Sequence, residues 1–257
     1  MTNSRLAGRS QKNMTGGSGR PRRRITVRSI LALLVIACSA MAPSAARSQS
    51  SVIYSVDFSG FPGGSVLKWL GSRGFVAKQD AGNSKKVVYS VARDTLRLET
   101  KTRAFGLLLN EANVRDYSRI RIEWGVDVFP PGASYEKGIR SEAIMVYVFF
   151  GKERHASGSL FIPDSPYFIG LFLCESEATN KPFTGRYHRA SGRFVCVDRP
   201  SPGTSVTTDF PIAEAFTRIF GKNQAPDISG IGIAIDTANV RGTGIAKSFI
   251  RKIEFLK

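Results

Sequence analysis

Apolar and polar residues alternate along much of this chain with a period of two, which is typical of β-strands that bury one face. The clearest example is 118–128, where every second residue from Ile120 to Val128 is apolar and most residues between them are charged. Residues 143–150 are apolar at nearly every position, which favours a strand between two packed layers. Further strands are predicted at 53–58, 87–90, 96–100, 105–110, 159–162, 167–174, 194–197, 231–236 and 245–256, separated by Gly, Pro, Asn and Asp.

One segment has the period of an α-helix instead. Asp209 is expected to cap its N-terminus, Pro211 suits the first turn, and Gly221 can end it. Its apolar stripe, which would dock on a sheet, consists of Ile212, Ala215, Phe216 and Ile219. Roughly ten strands and one helix in residues 47–257 predict a mostly β fold, a single jelly-roll-like β-sandwich domain with one docked α-helix.

Residues 1–46 have the three parts of a secretory signal peptide. A basic stretch is followed by an apolar run from Ile30 and by small residues before the predicted cleavage after Ala46. The run is about 13 residues long, while a membrane-spanning helix takes roughly 20. We therefore expect an exported protein, periplasmic or secreted, without a transmembrane segment in the mature chain. Residues 35–38 resemble a lipobox, so lipidation of Cys38 stays open beside its simpler role as a small residue of the signal core.

The net charge of +17 belongs in large part to this leader. Residues 1–46 carry eight Lys and Arg and no acidic residue, which leaves 29 basic and 20 acidic residues in 47–257. The mature surface is therefore moderately basic, which favours polyanions such as acidic polysaccharide or anionic lipid. A nucleic-acid partner is not expected, because no basic stripe or recognition motif is present.

Two cysteines remain after cleavage, Cys174 and Cys196, each in an apolar strand-like run. An even number of cysteines in an exported protein favours a disulfide, with two buried free thiols as the alternative. The polar segment between them could fold back as a long hairpin.

The sequence gives little support for a metal or a cofactor. Two histidines, His155 and His188, lie 33 positions apart without a ligand partner at zinc spacing. Asp236 and Asn239 offer oxygen atoms in a Gly-rich loop and are weak candidates for calcium, although Asp and Asn are also the usual turn residues. No cofactor is predicted.

The charged face of 118–128 is the first candidate binding surface. If it adjoins the face of 143–150 that carries Tyr147, then Arg121, Glu123, Asp127 and Tyr147 form a mixed aromatic and polar floor suited to sugars. The alternative is a solvated face on which these carboxylates pair with Arg119 and Arg121. A cluster of Arg, Tyr and His at 185–189 has the groups that a polysaccharide lyase uses, but a polar loop is the simpler interpretation.

Three stretches carry a resemblance to a known family: 122–132, with a Trp-containing strand and a Pro-Gly turn, 146–149, and 215–221 followed by 228–239. In order and spacing they resemble the bacterial exported proteins called the domain of unknown function 3047 family. The resemblance implies a sandwich similar to carbohydrate-binding and galactose-binding-like domains, and it brings no activity with it. The chain departs from the family pattern at 140–145 and over 161–199.

These observations predict an exported β-sandwich that binds a ligand, a saccharide or another envelope component. Two alternatives stay open: a polysaccharide lyase-like enzyme, and a structural or assembly protein of the envelope without a small-molecule site. No catalytic residue is assigned.

Overall fold

Thirteen strands and two α-helices are formed by residues 51–257, the part of the chain that the computed structural model describes. The predicted signal peptide (1–46), its cleavage site and Cys38 lie outside these residues. The strands are β1 (Val52–Asp57), β2 (Phe75–Gln79), β3 (Val87–Ala92), β4 (Thr95–Thr100), β5 (Phe105–Val114), β6 (Arg119–Val128), β7 (Glu142–His155), β8 (Ser165–Leu173), β9 (Pro182–Phe183), β10 (Gly192–Asp198), β11 (Ser205–Phe210), β12 (Ile228–Asp236) and β13 (Ala246–Leu256). The helices are α1 (Val66–Ser72) and α2 (Ile212–Phe220).

The strands form two sheets, and the predicted β-sandwich is confirmed. One sheet has six strands in the order β11-β6-β13-β4-β3, with β1 also paired to β13, and the other has seven in the order β2-β5-β12-β7-β8-β10-β9. All described pairs are antiparallel except β8 with β10. In the described part of the chain, no helix is long and apolar enough to cross a membrane.

The core lies between the two sheets, as the alternation of β6 predicts. Ile120, Ile122 and Trp124 are fully buried on the inner face of β6, and Ile144 and Val146 are fully buried on the inner face of β7. Each such side chain contributes roughly 1.5–3 kcal/mol through removal of apolar surface from water. This packing holds the two outer faces of the sandwich on opposite sides of the molecule.

Helix α2 closes one end of the core. The ring of Phe216 lies 4.6 Å from that of Phe150 and 5.7 Å from that of Tyr167, centroid to centroid. The helix ends at Gly221, as predicted, in a left-handed conformation with φ of 63°. Phe150 belongs to the inner face of β7, so α2 does not cover the opposite face, which carries Tyr147.

Several local predictions are wrong for identifiable reasons. Asp209 does not cap α2, because it lies in β11 and its carboxylate pairs with Arg119 and Arg121. Residues 159–162 form a turn rather than a strand, because the Ser157 hydroxyl bonds to backbone carbonyls within that loop. Four elements, α1, β2, β9 and β11, were not predicted, since each spans seven residues or fewer and shows little periodicity.

The Cys174–Cys196 disulfide is confirmed, with a Cα–Cα distance of 5.7 Å. The predicted hairpin between the two cysteines is wrong. Strands β8 and β10 are parallel neighbours, so the intervening chain crosses back over the sheet end and adds only the short β9 beyond β10. The disulfide therefore joins two parallel strands at the end where β8 stops.

Candidate functional site

The structure separates the residues that the sequence suggested as one binding floor. Arg121, Glu123 and Asp127 lie on the outer face of β6 in the six-stranded sheet. Tyr147 lies on the outer face of β7 in the seven-stranded sheet. The two faces point away from each other, so the mixed floor does not form.

The charges on the six-stranded sheet are satisfied by neighbouring strands. Asp127 pairs with Arg97 at 3.0 Å, and Glu123 pairs with Arg251 at 2.6 Å. Arg121 pairs with Asp209 at 2.9 Å. This is the solvated charged face that the sequence left open as the alternative, with cross-strand partners in place of Arg119 and Arg121. Half-exposed pairs of this kind hold little free energy, typically below about 1 kcal/mol.

The outer face of the seven-stranded sheet has a different character, because it is rich in aromatic rings. Many of its side chains form a cluster separate from the main core, and several are only partly buried. We call this surface the aromatic face. Its large side chains are Leu107, Leu109, Tyr147, Phe149, Phe168, Phe172, Phe183 and Phe194.

The rings of the aromatic face contact one another across three strands. Tyr147 lies 5.6 Å from Phe168 and 6.2 Å from Phe194, centroid to centroid. Phe149 follows Tyr147 on the same strand with nearly parallel ring planes, 14° apart. Tilted and edge-on contacts of this kind fix the rings in place. Phe168 is buried by its neighbours, whereas Tyr147, Phe149 and Phe194 stay partly exposed.

Glycines on the neighbouring strands let two of these rings approach the backbone of the sheet closely. A Cβ atom on Gly170 would be 3.2 Å from Phe194, and one on Gly192 would be 2.3 Å from Phe168. Larger residues at the two positions would displace the rings. The sequence therefore uses glycine here for close approach of a side chain to the backbone.

A pair of carboxyl groups lies at one end of the aromatic face. Asp236 at the end of β12 is directly opposite Glu142 at the start of β7. A register shift lies between this pair and the next one, Ala234 with Met145. Because of this bulge, Glu142 shares a face with Met145 although their spacing of three would place them on opposite faces of a regular strand.

The phenol of Tyr135 completes this cluster. Its hydroxyl donates to Glu142 Oε2 at 2.8 Å, and its backbone N–H donates to Glu177 Oε1 at 2.8 Å. Its ring stacks on that of Phe172 at 4.5 Å. The loop before β7 therefore seals Glu142 from water, while Asp236 stays half-buried.

Burial changes the acidity of all of these groups. Burial, followed by the charge of Asp236, raises the pKa of Glu142 well above its usual value, and the Tyr135 hydrogen bond only partly opposes this. Burial raises the pKa of Asp236 to about 6. Burial and the two carboxyls raise the pKa of the Tyr147 phenol. The carboxyl pair thus holds a proton at pH values at which exposed carboxyls are ionised.

The calcium candidates Asp236 and Asn239 each bond to a backbone group of the surrounding loops. Asp236 Oδ1 accepts from the Ala238 N–H, and the Asn239 amide donates to the Arg140 carbonyl, both at 2.8 Å. Residues 51–257 contain no group of three or more His, Cys, Asp or Glu placed to hold a metal ion. The loop geometry is that of ordinary turn residues.

The Arg, Tyr and His cluster of 185–189 borders the aromatic face rather than forming a cleft of its own. His188 lies 5.5 Å from Phe168, and its half-burial lowers its pKa. The Arg186 guanidinium lies over the Tyr187 ring, 5.3 Å from its centroid. These groups face different neighbours, so the arrangement lacks the convergence that lyase chemistry needs.

Sequence reasoning did not find the Glu142–Asp236–Tyr135 cluster. The bulge that turns Glu142 outward has no signature in the alternation of 143–150, and Tyr135 belongs to a loop that was not assigned an element. One signal was present in the sequence, because Glu142 and Asp236 each lie at the end of an apolar strand. A carboxyl buried there is costly without a partner, so the two could have been expected to meet.

Comparisons with known proteins give likenesses of fold alone. No family model matches the chain, and no curated protein matches it. It is similar to the xyloglucanase domain of NopAA, a type three effector from Sinorhizobium fredii, at 11% identity over 72% of this chain and 95% of that one, with a TM-score of 0.41. It is also similar to the xylan-binding module CBM86 from Roseburia intestinalis, at 12% identity over 71% and 96%, TM-score 0.28. A lectin from Bauhinia forficata is a third, at 12% over 79% and 97%, TM-score 0.30.

Proposed function

We propose that this protein binds a saccharide on the aromatic face of its seven-stranded sheet. The observation that carries the proposal is the group of partly exposed rings on this face, among them Tyr147, Phe149 and Phe194. The C–H faces of pyranose rings are apolar and stack on such surfaces. The half-buried Asp236 and the Tyr147 phenol supply polar groups for sugar hydroxyls at one end of it.

The six-stranded sheet is a poorer candidate surface. Its outer charges are paired with one another, so a ligand would have to break several ion pairs to use them. The aromatic face instead offers apolar area that water solvates poorly, which favours binding without such a cost.

Export from the cell and membership in the domain of unknown function 3047 family stay predictions from the sequence. Both are compatible with a saccharide or another component of the cell envelope as the ligand.

A glycan array with the purified protein, run at two salt concentrations, tests the proposal. The informative variant is Tyr147→Ala. The matched control is Phe249→Ala, which removes a half-buried ring that also lies over a glycine, Gly125, but on the opposite sheet. Stacking on the aromatic face predicts specific binding that resists salt and that weakens about fivefold or more in Tyr147→Ala only.

Two results would refute this function. Binding that disappears at higher salt would come from the basic surface alone. Equal losses in both variants, with both proteins folded by circular dichroism, would show that the aromatic face is not the binding surface.

A further inference from the structure

A pocket lies at the open edge of the sandwich, where β10 and β11 face each other. Its cavity has a volume of about 370 Å³ and opens to solvent. Strand β11 ends the six-stranded sheet, and the short β9 pairs only with Phe194 and Val195 of β10. The last residues of β10 pair with β8 on one side and therefore have no strand neighbour on the other. We call this cavity the edge pocket.

A buried chain of hydrogen bonds fixes a carboxylate in the edge pocket. The indole Nε1–H of Trp124 donates to Thr208 Oγ1 at 2.9 Å. The Thr208 hydroxyl, which has one proton, donates it to Asp198 Oδ2. Trp124 is fully buried and Thr208 is 4% exposed, so neither group has water as an alternative partner. The orientation of the Asp198 carboxylate is thus set from the core outward.

The opposite wall is held by the disulfide region. The Asn180 N–H donates to the Cys196 carbonyl at 2.8 Å, and the Cys174 N–H donates to the Asp198 carbonyl at 3.1 Å. Because the Cys174–Cys196 bond joins the same two segments, the Asn180 and Asp198 backbones are held in register. The pocket is therefore formed before a ligand arrives, which reduces the entropy lost on binding.

The remaining lining combines apolar surface with charges of both signs. Phe210 and Pro211 contribute the apolar surface. Asp209 also lines the pocket, and its carboxylate pairs with arginines of β6. Arg218 reaches the pocket from α2, where its guanidinium pairs with Glu214 at 3.2 Å. Because carboxylates and a guanidinium line the same cavity, a simple ion of either sign meets a like charge there.

From these contacts we infer that the edge pocket binds one neutral, hydroxyl-rich unit, such as a single sugar residue, at a site separate from the aromatic face. Hydroxyl groups both donate and accept hydrogen bonds, which matches the mixed polar lining. The C–H surface of a sugar matches Phe210 and Pro211. The cavity volume lies in the range of roughly 300–1,000 Å³ that small-molecule sites occupy.

The chain carries its own reporter for this site. It has two tryptophans, Trp69 and Trp124, so Trp69→Phe leaves Trp124 as the sole indole. Trp69 packs edge-on against Phe61 near the surface, a contact that a phenylalanine can keep. A ligand that bonds to Asp198 alters the hydrogen bond that the Trp124 indole donates to Thr208. The emission of Trp124 should change as a result.

The experiment titrates full-length Trp69→Phe protein with glucose, galactose, mannose and xylose, and with methylammonium and phosphate as charged probes. Tryptophan emission is recorded, and equilibrium dialysis measures binding directly. We expect saturation with at least one sugar and none with the charged probes. Asp198→Asn, which keeps the acceptor for Thr208, and Asn180→Ala at the exposed rim should each weaken sugar binding about fivefold or more.

Tyr147→Ala in the same background separates this site from the aromatic face. The inference predicts an unchanged sugar-dependent change of Trp124 emission in that variant, while any binding that belongs to the aromatic face is lost from the dialysis measurement. It is overturned if no sugar binds by dialysis, if a charged probe binds instead, or if Asp198→Asn and Asn180→Ala bind sugar as well as their parent. It is also overturned if Tyr147→Ala abolishes the signal, because the sugar then occupies the aromatic face.

Discussion

The carboxyl pair at the end of the aromatic face makes the stability of the protein depend on pH, and Asp236→Asn should remove much of that dependence. Burial raises the Asp236 pKa from 3.8 to about 6. The folded protein therefore binds a proton on Asp236 more tightly than the unfolded chain does. An asparagine keeps the acceptor for the Ala238 N–H and cannot ionise.

The sign and the size of the expected stability difference between Asp236→Asn and wild type follow from proton linkage. A carboxyl with a raised folded pKa contributes its full stability below pH 4, and this contribution is lost as the pH rises through the folded pKa. The shift corresponds to about 3 kcal/mol at 1.36 kcal/mol for each pH unit. The free energy of unfolding of Asp236→Asn, minus that of wild type, should grow from near zero at pH 4 to at most about 3 kcal/mol at pH 7.

Urea denaturation followed by circular dichroism measures this difference at half-unit steps from pH 4 to pH 7. The comparison of two proteins matters, because the lowered pKa of His188 acts in the opposite direction over part of the same range. Effects of His188 are common to both proteins and cancel in the difference. Glu142 keeps a raised pKa from its own burial, so the variant retains some pH dependence.

Asp127→Asn is the matched control, since Asp127 also sits on an outer sheet face but pairs with Arg97 in a solvated setting. Its difference from wild type should stay within about 1 kcal/mol at every pH in the range. A constant difference between Asp236→Asn and wild type across the range would refute the reasoning, because Asp236 would then titrate alike in the folded and unfolded chains.

Two further predictions concern stability away from the pair. Replacing both Cys174 and Cys196 by alanine opens a loop with a sequence separation of 22. In the chain-entropy model this costs about 3 kcal/mol, which lowers the melting temperature by about 6–12 °C in calorimetry; an unchanged melting temperature would contradict the model. Glu123→Gln removes an exposed ion pair to Arg251, so urea denaturation should show a loss below about 1 kcal/mol that shrinks further at high salt. A larger loss would mean that the charged face is part of a tightly coupled network.

The strands with clear alternation were predictable because one face of each lies against the core. In β6 every second residue from Ile120 to Val126 is buried, so the sequence of this strand shows a period of two. The hairpin between β3 and β4 was predictable for a different reason. Its Arg93-Asp94 turn, both residues with positive φ, stands between two short apolar runs.

The short elements could not be predicted, since their apolar residues are too few to show a period. Strand β11 contains Asp209, whose position beside Pro211 looks like a helix cap. Only the pairing of β11 with β6 brings Asp209 to Arg119 and Arg121, and that ion pairing replaces the capping interaction. The local sequence correctly indicated that the Asp209 carboxylate makes a structural interaction, but it predicted the wrong partner.

By itself the sequence determined a mostly β sandwich, one docked helix ending at Gly221 and a Cys174–Cys196 disulfide, because burial, backbone conformation and cysteine number are local or compositional properties. Tertiary structure alone decided which residues meet. Strand order put Tyr147 and Arg121 on opposite outer faces, and a single-residue bulge turned Glu142 toward Asp236. Neither is encoded in a periodic pattern, since both depend on pairings between strands far apart in the chain.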